Sequence, residues 1–474
     1  MAIPPIRNRR PALSSRLGVA VASAIGLAGC TLGPNYVRPP LPTHAWHAPL
    51  DGGLSESPAD PAVLASWWRQ LDDPLLTELV ATAAGANLDL VSARQHVREV
   101  QSQRAVAEAG LYPTVRARAE AIPVNSSSNK GLTGLEAVWT PDVFGKLRRT
   151  LEAATADAAV GEESRHDVEV AVGAEVAQAY VDVRSLQSRL AIAQSDLDSQ
   201  SDALDLARWR AQAGLTTVLD VDQARSNVEQ TRAQIPALRA GLAQAENRLA
   251  VLLGREPGSL DETLAQVQPI PLPPAEVAIG VPTDTLERRP DVRRAERALA
   301  AETARIGAAK AEAYPTFSFT GQVGIDAISP ATFAHPGAIA GVVAANAVQV
   351  LFDHGAIRAK VRAQKAIRAQ ALAHFESTVL HALEEVENDI AAYGEEQSRA
   401  RALGTAAEAA ARAATYSRER YKSGLIDFQI VLDADRSLHS IQDQLAVSRS
   451  QVVSDLIALY RSLGGGWTRG EDST

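Results

Sequence analysis

Two copies of one turn, held a fixed distance apart, limit what this chain can fold into. The first runs Arg208-Trp-Arg-Ala-Gln-Ala-Gly-Leu-Thr-Thr-Val-Leu-Asp220, the second Arg418-Glu-Arg-Tyr-Lys-Ser-Gly-Leu-Ile-Asp-Phe428. In each, an Ala-rich helical pattern stops at a glycine, Gly214 or Gly424, and a new helical pattern starts a few residues later. These glycines are 210 residues apart, and the same separation pairs Gly145 with Gly355 and Leu253-Gly254 with Leu463-Gly464. Upstream, a separation of 202 pairs Tyr112-Pro113 with Tyr314-Pro315, and Asp89 with Asp291. Offsets kept over such distances mark an internal duplication, with 8 extra residues in the second copy between 316 and 352.

The duplicated segments are mostly helical. Patterns at 147–211 and 357–422 predict helices of about 98 Å at 1.5 Å per residue, far above the globular mean of about 11 residues. A seven-residue beat runs through Val176, Val183, Leu190, Leu197 and Leu204. It recurs after the turns, at 217–253 and 427–463, through Val221, Val228, Ile235, Leu242 and Leu249, and through Val431, Leu438, Leu445, Val452 and Leu459. This period predicts helices packed in coiled-coil fashion. Ala, Ser, Gln and Arg fill many other positions, so the dry seam is narrow. Pro236 sits within the pattern and predicts a kink. Aromatics are only 4% of the chain, which favours long helices over a bulky globular core.

Two segments differ in character. Residues 114–144 and 316–352 alternate, break at a Gly/Ser/Asn/Pro-rich loop, and resume as β-like runs over Leu135–Phe144 and Ile339–Phe352. Each reads as a hairpin of strands about 9 to 12 residues long, enough for a tilted transmembrane strand. Two readings stay open on this pattern alone, a soluble hairpin and a membrane-spanning one.

The N-terminus bears on that choice. Arg7, Arg9, Arg10 and Arg16 precede the apolar run Leu17–Ala28, which predicts a cleaved targeting segment over 1–29. It ends Leu27-Ala-Gly-Cys30, similar to the lipobox of bacterial lipoproteins, and Cys30 is the only cysteine. The expectation is a covalent diacylglycerol and a fatty acid such as palmitate on Cys30. Thr31, where Asp would resemble an inner-membrane retention signal, fits the outer membrane. Loss of the segment takes the net charge from −9 to −13, and no basic patch points to nucleic acid. No apolar run after Cys30 is long enough for a spanning helix, so any crossing would use strands.

The domain reading follows: a lipidated extended arm (30–65), a first repeat (66–254), a Pro-rich linker (255–284), a second repeat (285–466) and a disordered tail (467–474). Trp67-Trp68 reads as packing. No phosphate loop, metal motif or nucleophile pattern occurs; His374 and His381 read as ordinary face residues. Nothing supports an enzyme, a cofactor or a metal. The acids of the turns read first as helix caps and dipole partners, which suits Asp220, Asp222 and Asp427 better than Asp433 and Asp435.

Several motifs together resemble one family. Leu27-Ala-Gly-Cys-Thr-Leu-Gly-Pro-Asn-Tyr-Val-Arg-Pro-Pro40, Trp67-Trp-Arg-Gln-Leu-Asp-Asp-Pro-Leu-Leu76, Trp139-Thr-Pro-Asp-Val-Phe-Gly145, Val350-Leu-Phe-Asp-His-Gly355 and Ser462-Leu-Gly-Gly-Gly-Trp467 occur in the order found in TolC-type outer-membrane efflux factors, the NodT-like lipoproteins. The resemblance spans essentially the whole mature chain. It implies a mainly α fold with a small β part, in which a homotrimer forms a periplasmic α-barrel. Each protomer would add two hairpins, four strands, to a shared 12-stranded transmembrane β-barrel. It also implies a passive exit duct in the outer membrane, with a periplasmic adaptor (membrane fusion) protein and an inner-membrane pump of the resistance-nodulation-division type as partners. Two alternatives are a duct for type I protein secretion and a lipid-tethered periplasmic coiled-coil scaffold.

The resemblance further implies that the helix hairpins close the periplasmic end. It carries over Asp433 and Arg436 on the second turn and aligns Gln429 with an apolar constriction residue, a departure. A closing contact would link Tyr421 to Asp220 across neighbouring hairpins. Some members have an Arg two residues after the turn glycine; Ile426 stands there. Asp433 is expected to form a negative ring at the threefold axis. It aligns with Gln223, and Asp435 with Arg225, so the second copy is expected to set the constriction.

Overall fold

A computed structural model of the chain describes residues 31–43, 45–125, 128–327 and 339–468. The targeting segment, Cys30 and residues 469–474 of the expected tail lie outside the described residues. In chain order the elements are β1 (Leu54–Ser55), α1 (Pro61–Ala65), a 3-10 turn (Trp67–Leu71), α2 (Pro74–Ala86), α3 (Leu88–Ala109), β2 (Thr114–Asn125), β3 (Ser128–Trp139), α4 (Lys146–Gln212) and α5 (Val218–Leu252). Then follow α6 (Asp261–Leu264), β4 (Val277–Ala278), α7 (Pro282–Arg288), α8 (Pro290–Ala311), β5 (Thr316–Ala327), β6 (Ile339–Val348), α9 (Ala356–Lys422) and α10 (Phe428–Ser462).

The duplication holds at the level of element length. α3 and α8 have 22 residues each, α4 and α9 67 each, α5 and α10 35 each. Strand register repeats too: Thr114 pairs with Val138, and Thr316 with Val348, which are the same positions shifted by 202 and 210. The paired glycines share left-handed backbone, with φ 72° and 73° at Gly214 and Gly424 and 78° and 84° at Gly145 and Gly355. A side chain is strained there, which is why glycine stands at each site in both copies.

Several boundaries differ from the sequence expectation. The second strand of each hairpin ends at Trp139 and Val348, short of Phe144 and Phe352. Pro141 cannot donate to a ladder, and Asp142 instead accepts from the amides of Leu147 and Arg148, capping α4. Asp353 does the same for Gly355 and Ile357 ahead of α9. β3 starts at Ser128, inside the expected loop, because ladder pairing outweighs local composition. The linker is also structured. It contains α6, β4 and the start of α7, and β4 pairs in parallel with β1. α5 continues through Pro236 as one helix.

The chain divides into two units. One comprises residues 1–38, 99–159 and 296–373. Its centre is an antiparallel sheet in the order β2-β3-β5-β6, with β3 and β5 joining the two hairpins. The arm is tied down here. Arg149, 3% exposed, donates to Leu32 O (3.0 Å) and Asn35 Oδ1 (2.8 Å). Gly33 sits against Gly307 so closely that a Cβ on Gly33 would lie 2.5 Å from the Gly307 Cα. Tyr36 donates to Glu296, which also pairs with Arg38.

The second unit comprises residues 39–98, 160–295 and 374–474. Its core gathers Trp67, Leu76, Leu90, Val176, Tyr180, Val183, Leu249, Tyr393, Leu456 and Tyr460. Trp67 is 1% exposed and stacks on Tyr460 at 5.3 Å, which is the packing role the sequence predicts. The fully buried Arg184 bonds Tyr180, Gln187 and the carbonyl of Gln266, and Gln187 bonds Leu264 O, so the linker is held to α4. The heptad seam is dry at Val176, Val183, Leu249, Val452 and Leu459. It is only half-buried at Leu190, Leu197, Leu242, Leu438 and Leu445.

Two expectations follow. Trp67→Ala removes a stacked, buried ring and should cost about 3–5 kcal/mol, read as a lowered midpoint of unfolding, with Trp67→Phe intermediate. Burial first, with Glu385 and Asp455 adding like charge, pushes the Asp389 carboxyl up to about 6 against the pull of Ser462 and Arg461. A raised acid binds its proton more tightly when folded, so its stabilisation is full at low pH and is lost as pH rises from about 4 to about 6. Asp389→Asn should therefore melt with the wild type near pH 4 and above it at pH 7; equal melting at pH 7 would contradict this assignment.

Candidate functional site

The two turns are built alike. Leu215 N bonds Arg210 O (2.8 Å) and Gly214 N bonds Ala211 O (3.0 Å); Leu425 N bonds Arg420 O (2.9 Å) and Gly424 N bonds Tyr421 O (2.9 Å). This is the Schellman pattern, which satisfies the last carbonyls of a helix and reverses the chain. The starts of the following helices differ. Thr217 caps α5 in a reciprocal box with Asp220, and Thr216 also donates to the Asp220 carboxylate. Those hydrogen bonds, that of Thr216 first, hold the Asp220 carboxyl below its ordinary range. Asp427 occupies the N-cap of α10 but its side chain accepts no capping bond, and Asp222 is exposed and pairs loosely with Arg225 (4.0 Å) on its own helix. The capping reading thus fits Asp220 and not Asp427.

Both turns belong to the same unit, and their hairpins share a small core of Leu204, Ala207, Ala224, Val228, Tyr421, Phe428, Val431 and Leu432. Polar contacts tie one hairpin to the other. The Arg210 guanidinium lies 4.4 Å over the Tyr421 ring and donates to Tyr421 O at 2.6 Å. Arg436 donates to Asn227 Oδ1 (2.7 Å). Within the second hairpin, Arg418 pairs with the buried Asp435 at 2.9 Å. Burial raises the Asp435 carboxyl, and Arg418 pulls it back only in part.

Gln429, Asp433 and Arg436 lie on one exposed face of α10, at i, i+4 and i+7. Gln429 donates to Asp433 (2.8 Å), and Arg436 stands 3.5 Å from it. The structure therefore brings three of the five predicted gate residues together. It does not join the other two within the chain. Tyr421 is buried in the tip core, its hydroxyl without a hydrogen-bond partner among the described residues, and Asp220 is held in its own cap. Sequence reading missed Arg210, Asn227 and Arg418. The repeated Arg-x-Arg ahead of each turn glycine, Arg208/Arg210 and Arg418/Arg420, was the available signal.

The four-stranded sheet has two unlike faces. Register puts Arg116, Glu136 and Gln322 in one row across three strands, with Glu136 bonded to Arg116 (2.5 Å) and Gln322 (2.8 Å). The other face carries Val115, Leu135, Trp139, Phe319, Val323 and Val343, all exposed. Trp139 stacks with Phe319 (6.0 Å), and Phe144 lies against Tyr314 (4.9 Å), so aromatics gather at the end where the helices attach. An apolar outer face, a polar inner row and an aromatic rim are the features of a strand set that faces lipid. Among the described residues no helix is long and apolar enough to cross a membrane, and no group of three or more His, Cys, Asp or Glu side chains is placed to hold a metal.

Known proteins share this arrangement. The family model of the outer membrane efflux protein matches residues 79–255 and again 281–465, one match per repeat. Nodulation protein T of Rhizobium leguminosarum bv. trifolii is 31% identical over 455 residues, covering 93% of this chain and 95% of the relative. The toluene efflux pump outer membrane protein TtgF of Pseudomonas putida is 30% identical, covering 95% and 96%. Among solved structures, the outer-membrane channel OprN superposes with a TM-score of 0.87 at 34% identity over 92% of this chain and 100% of that one. The open state of the MtrE channel of Neisseria gonorrhoeae gives 0.81 at 26% identity, covering 94% and 100%. With both repeats matched and relatives similar along nearly their whole length, the chain belongs to the outer membrane efflux protein family, the TolC-type channels.

Proposed function

We propose that three copies of this chain form the outer-membrane duct of a tripartite efflux pump, a passive exit for small toxic molecules. The observation that carries the reading is the sheet. It has a lipid-type apolar face, a polar row on the other face, and, among the described residues, unpaired edges at β2 and β6. Hydrocarbon offers no partner for edge amides and carbonyls, so these strands need further copies to close. Three sets of four give the 12-stranded barrel of the family. Energy comes from an inner-membrane pump of the resistance-nodulation-division type joined through a periplasmic adaptor, so the duct itself needs no catalytic group. Relatives named for toluene and antibiotic efflux support small organic cargo over secreted protein. The lipobox at Cys30 points the same way and supplies a second membrane anchor.

At the periplasmic end, the exposed Gln429–Asp433–Arg436 face of α10 is the constriction in this reading, with three Asp433 carboxylates around the axis. The Tyr421 hydroxyl would find its partner in Asp220 of a neighbouring hairpin, completing the closure. A lipid-tethered periplasmic scaffold is the competing reading; detergent-dependent trimers with single-channel conductance favour the duct, and soluble non-conducting oligomers the scaffold.

Asp433→Ala should raise conductance in planar bilayers and weaken cation selectivity, since it removes charge and bulk from the narrowest ring. If conductance and selectivity stay at wild-type values, Asp433 does not line the constriction. The mature chain should carry the mass of a diacylglycerol and a fatty acid at its first residue, and Cys30→Ser should remove it; an unmodified Cys30 in membranes would refute the anchor.

A further inference from the structure

One cationic surface is used by nothing described so far. α8 runs toward the sheet and α9 away from it, since both attach at the end where Thr316 pairs with Val348. α9 packs on α8 through Lys360, Gln364 and Arg368, which bond Glu312, Glu302 and Thr303. At about 100° per residue, a second row of Arg358, Arg362 and Lys365 lies roughly a third of a turn around α9 from that face. For right-handed helices running in these directions, that rotation leads to the side of α8 bearing Glu296 and Gly307. That is the side on which residues 31–38 dock. All three cations are exposed, and none is within hydrogen-bond or ion-pair distance of a partner among the described residues. The amides of Ile357 and Gly355 hold the Asp353 carboxyl low, and Arg358 is near enough to add to that effect. Asp353 partly offsets Arg358, and no acid occurs between it and Glu376 to balance Arg362 and Lys365.

The first copy has no such row. There Lys146 pairs with Glu312, Arg148 with Asp142, and Arg149 is buried under the arm. The difference between copies therefore leaves three exposed cations along the first turns of one helix.

Their level can be read from the arm. Thr31, next to the lipidation site, lies against Gly145, where an added Cβ would sit 2.9 Å from the Thr31 Cα. Gly355 is the counterpart of Gly145, at the same end of the same sheet. Arg358, Arg362 and Lys365 follow it by roughly 4, 10 and 15 Å along the helix. The first two are within reach of a headgroup layer for side chains that snorkel. Just before Gly355 in the chain, Val350, Leu351 and Phe352 are exposed, an apolar run at the sheet end of the basic row. An apolar run followed by a basic row fits an anionic lipid surface.

We infer that Arg358, Arg362 and Lys365, with Leu351 and Phe352, form a docking surface for anionic glycerophospholipid headgroups in the membrane leaflet nearest the helices. The inference rests on the reading of the sheet as membrane-spanning. It adds a lipid contact on α9 beside the arm, which itself bridges both repeats through Arg149 and Glu296.

Delipidated full-length protein in neutral detergent would be titrated with phosphatidylglycerol and with phosphatidylcholine, and bound lipid counted by native mass spectrometry. The wild type should bind phosphatidylglycerol at least about tenfold more tightly, and salt near 1 M should abolish the preference. The triple variant Arg358→Gln/Arg362→Gln/Lys365→Gln should weaken phosphatidylglycerol binding on the order of a hundredfold and leave phosphatidylcholine binding unchanged; Arg362→Gln alone should cost about fivefold. The inference is overturned if the variants keep the preference, if the wild type has none, if it survives high salt, or if inorganic phosphate competes at equal concentration. Bilayer conductance separates the two levels of the argument. A wild type that does not conduct sinks the duct, whereas normal conductance with an unaltered lipid preference sinks this surface alone.

Discussion

The structure depends on a constraint on backbone hydrogen bonding. A strand in hydrocarbon must have every amide and carbonyl paired, and the four strands of one chain cannot manage this, because among the described residues β2 and β6 have open edges. The remaining features of that unit follow from the constraint. The hairpins must pair in equivalent register, and they do, with first strands related by 202 residues and second strands by 210. One face must be apolar, and Val115, Leu135, Phe319 and Val343 make it so. The polar groups must look the other way and pair among themselves, as Arg116, Glu136 and Gln322 do.

The helices solve a different problem. Residues 146–212 and 356–422 each form a single helix, and a helix this long closes its own backbone bonds, leaving only side-chain packing to be decided. Packing is dense where the core around Trp67 and Tyr460 forms and again where the tips share Phe428 and Val431. Between them the seam leucines are half-buried. A narrow dry seam flanked by polar side chains suits a wall with water on both sides.

The two copies share their frame and differ in their side chains, and function sits in the differences. Equivalent turns keep the same glycine geometry and carbonyl bonds. Yet Arg208 reaches only the exposed Asp205 on its own helix, while its counterpart Arg418 crosses to a buried Asp435. Arg149 is buried against the arm, whereas the cations opening α9 stay exposed. Duplication supplied a scaffold that already folded, and substitution at exposed positions then cost little stability.

The sequence by itself determined the repeat, the lengths of the four long helices to within a residue or two, the turn glycines and the membership of the family. These rest on local chemistry: heptad spacing, glycine at left-handed positions, proline at chain breaks. The family resemblance named Gln429, Asp433 and Arg436, and the structure places them on one exposed face of α10. Tertiary structure decided the rest. Ladder pairing began β3 at Ser128, inside a loop-like stretch, and the caps at Asp142 and Asp353 ended the hairpins early. Only packing could reveal that Arg210 stacks on Tyr421, or that Arg149 holds Leu32 and Asn35, since those partners are 211, 117 and 114 residues apart in sequence. Contacts at such separations depend on where the folded chain brings two elements together, which no local pattern encodes.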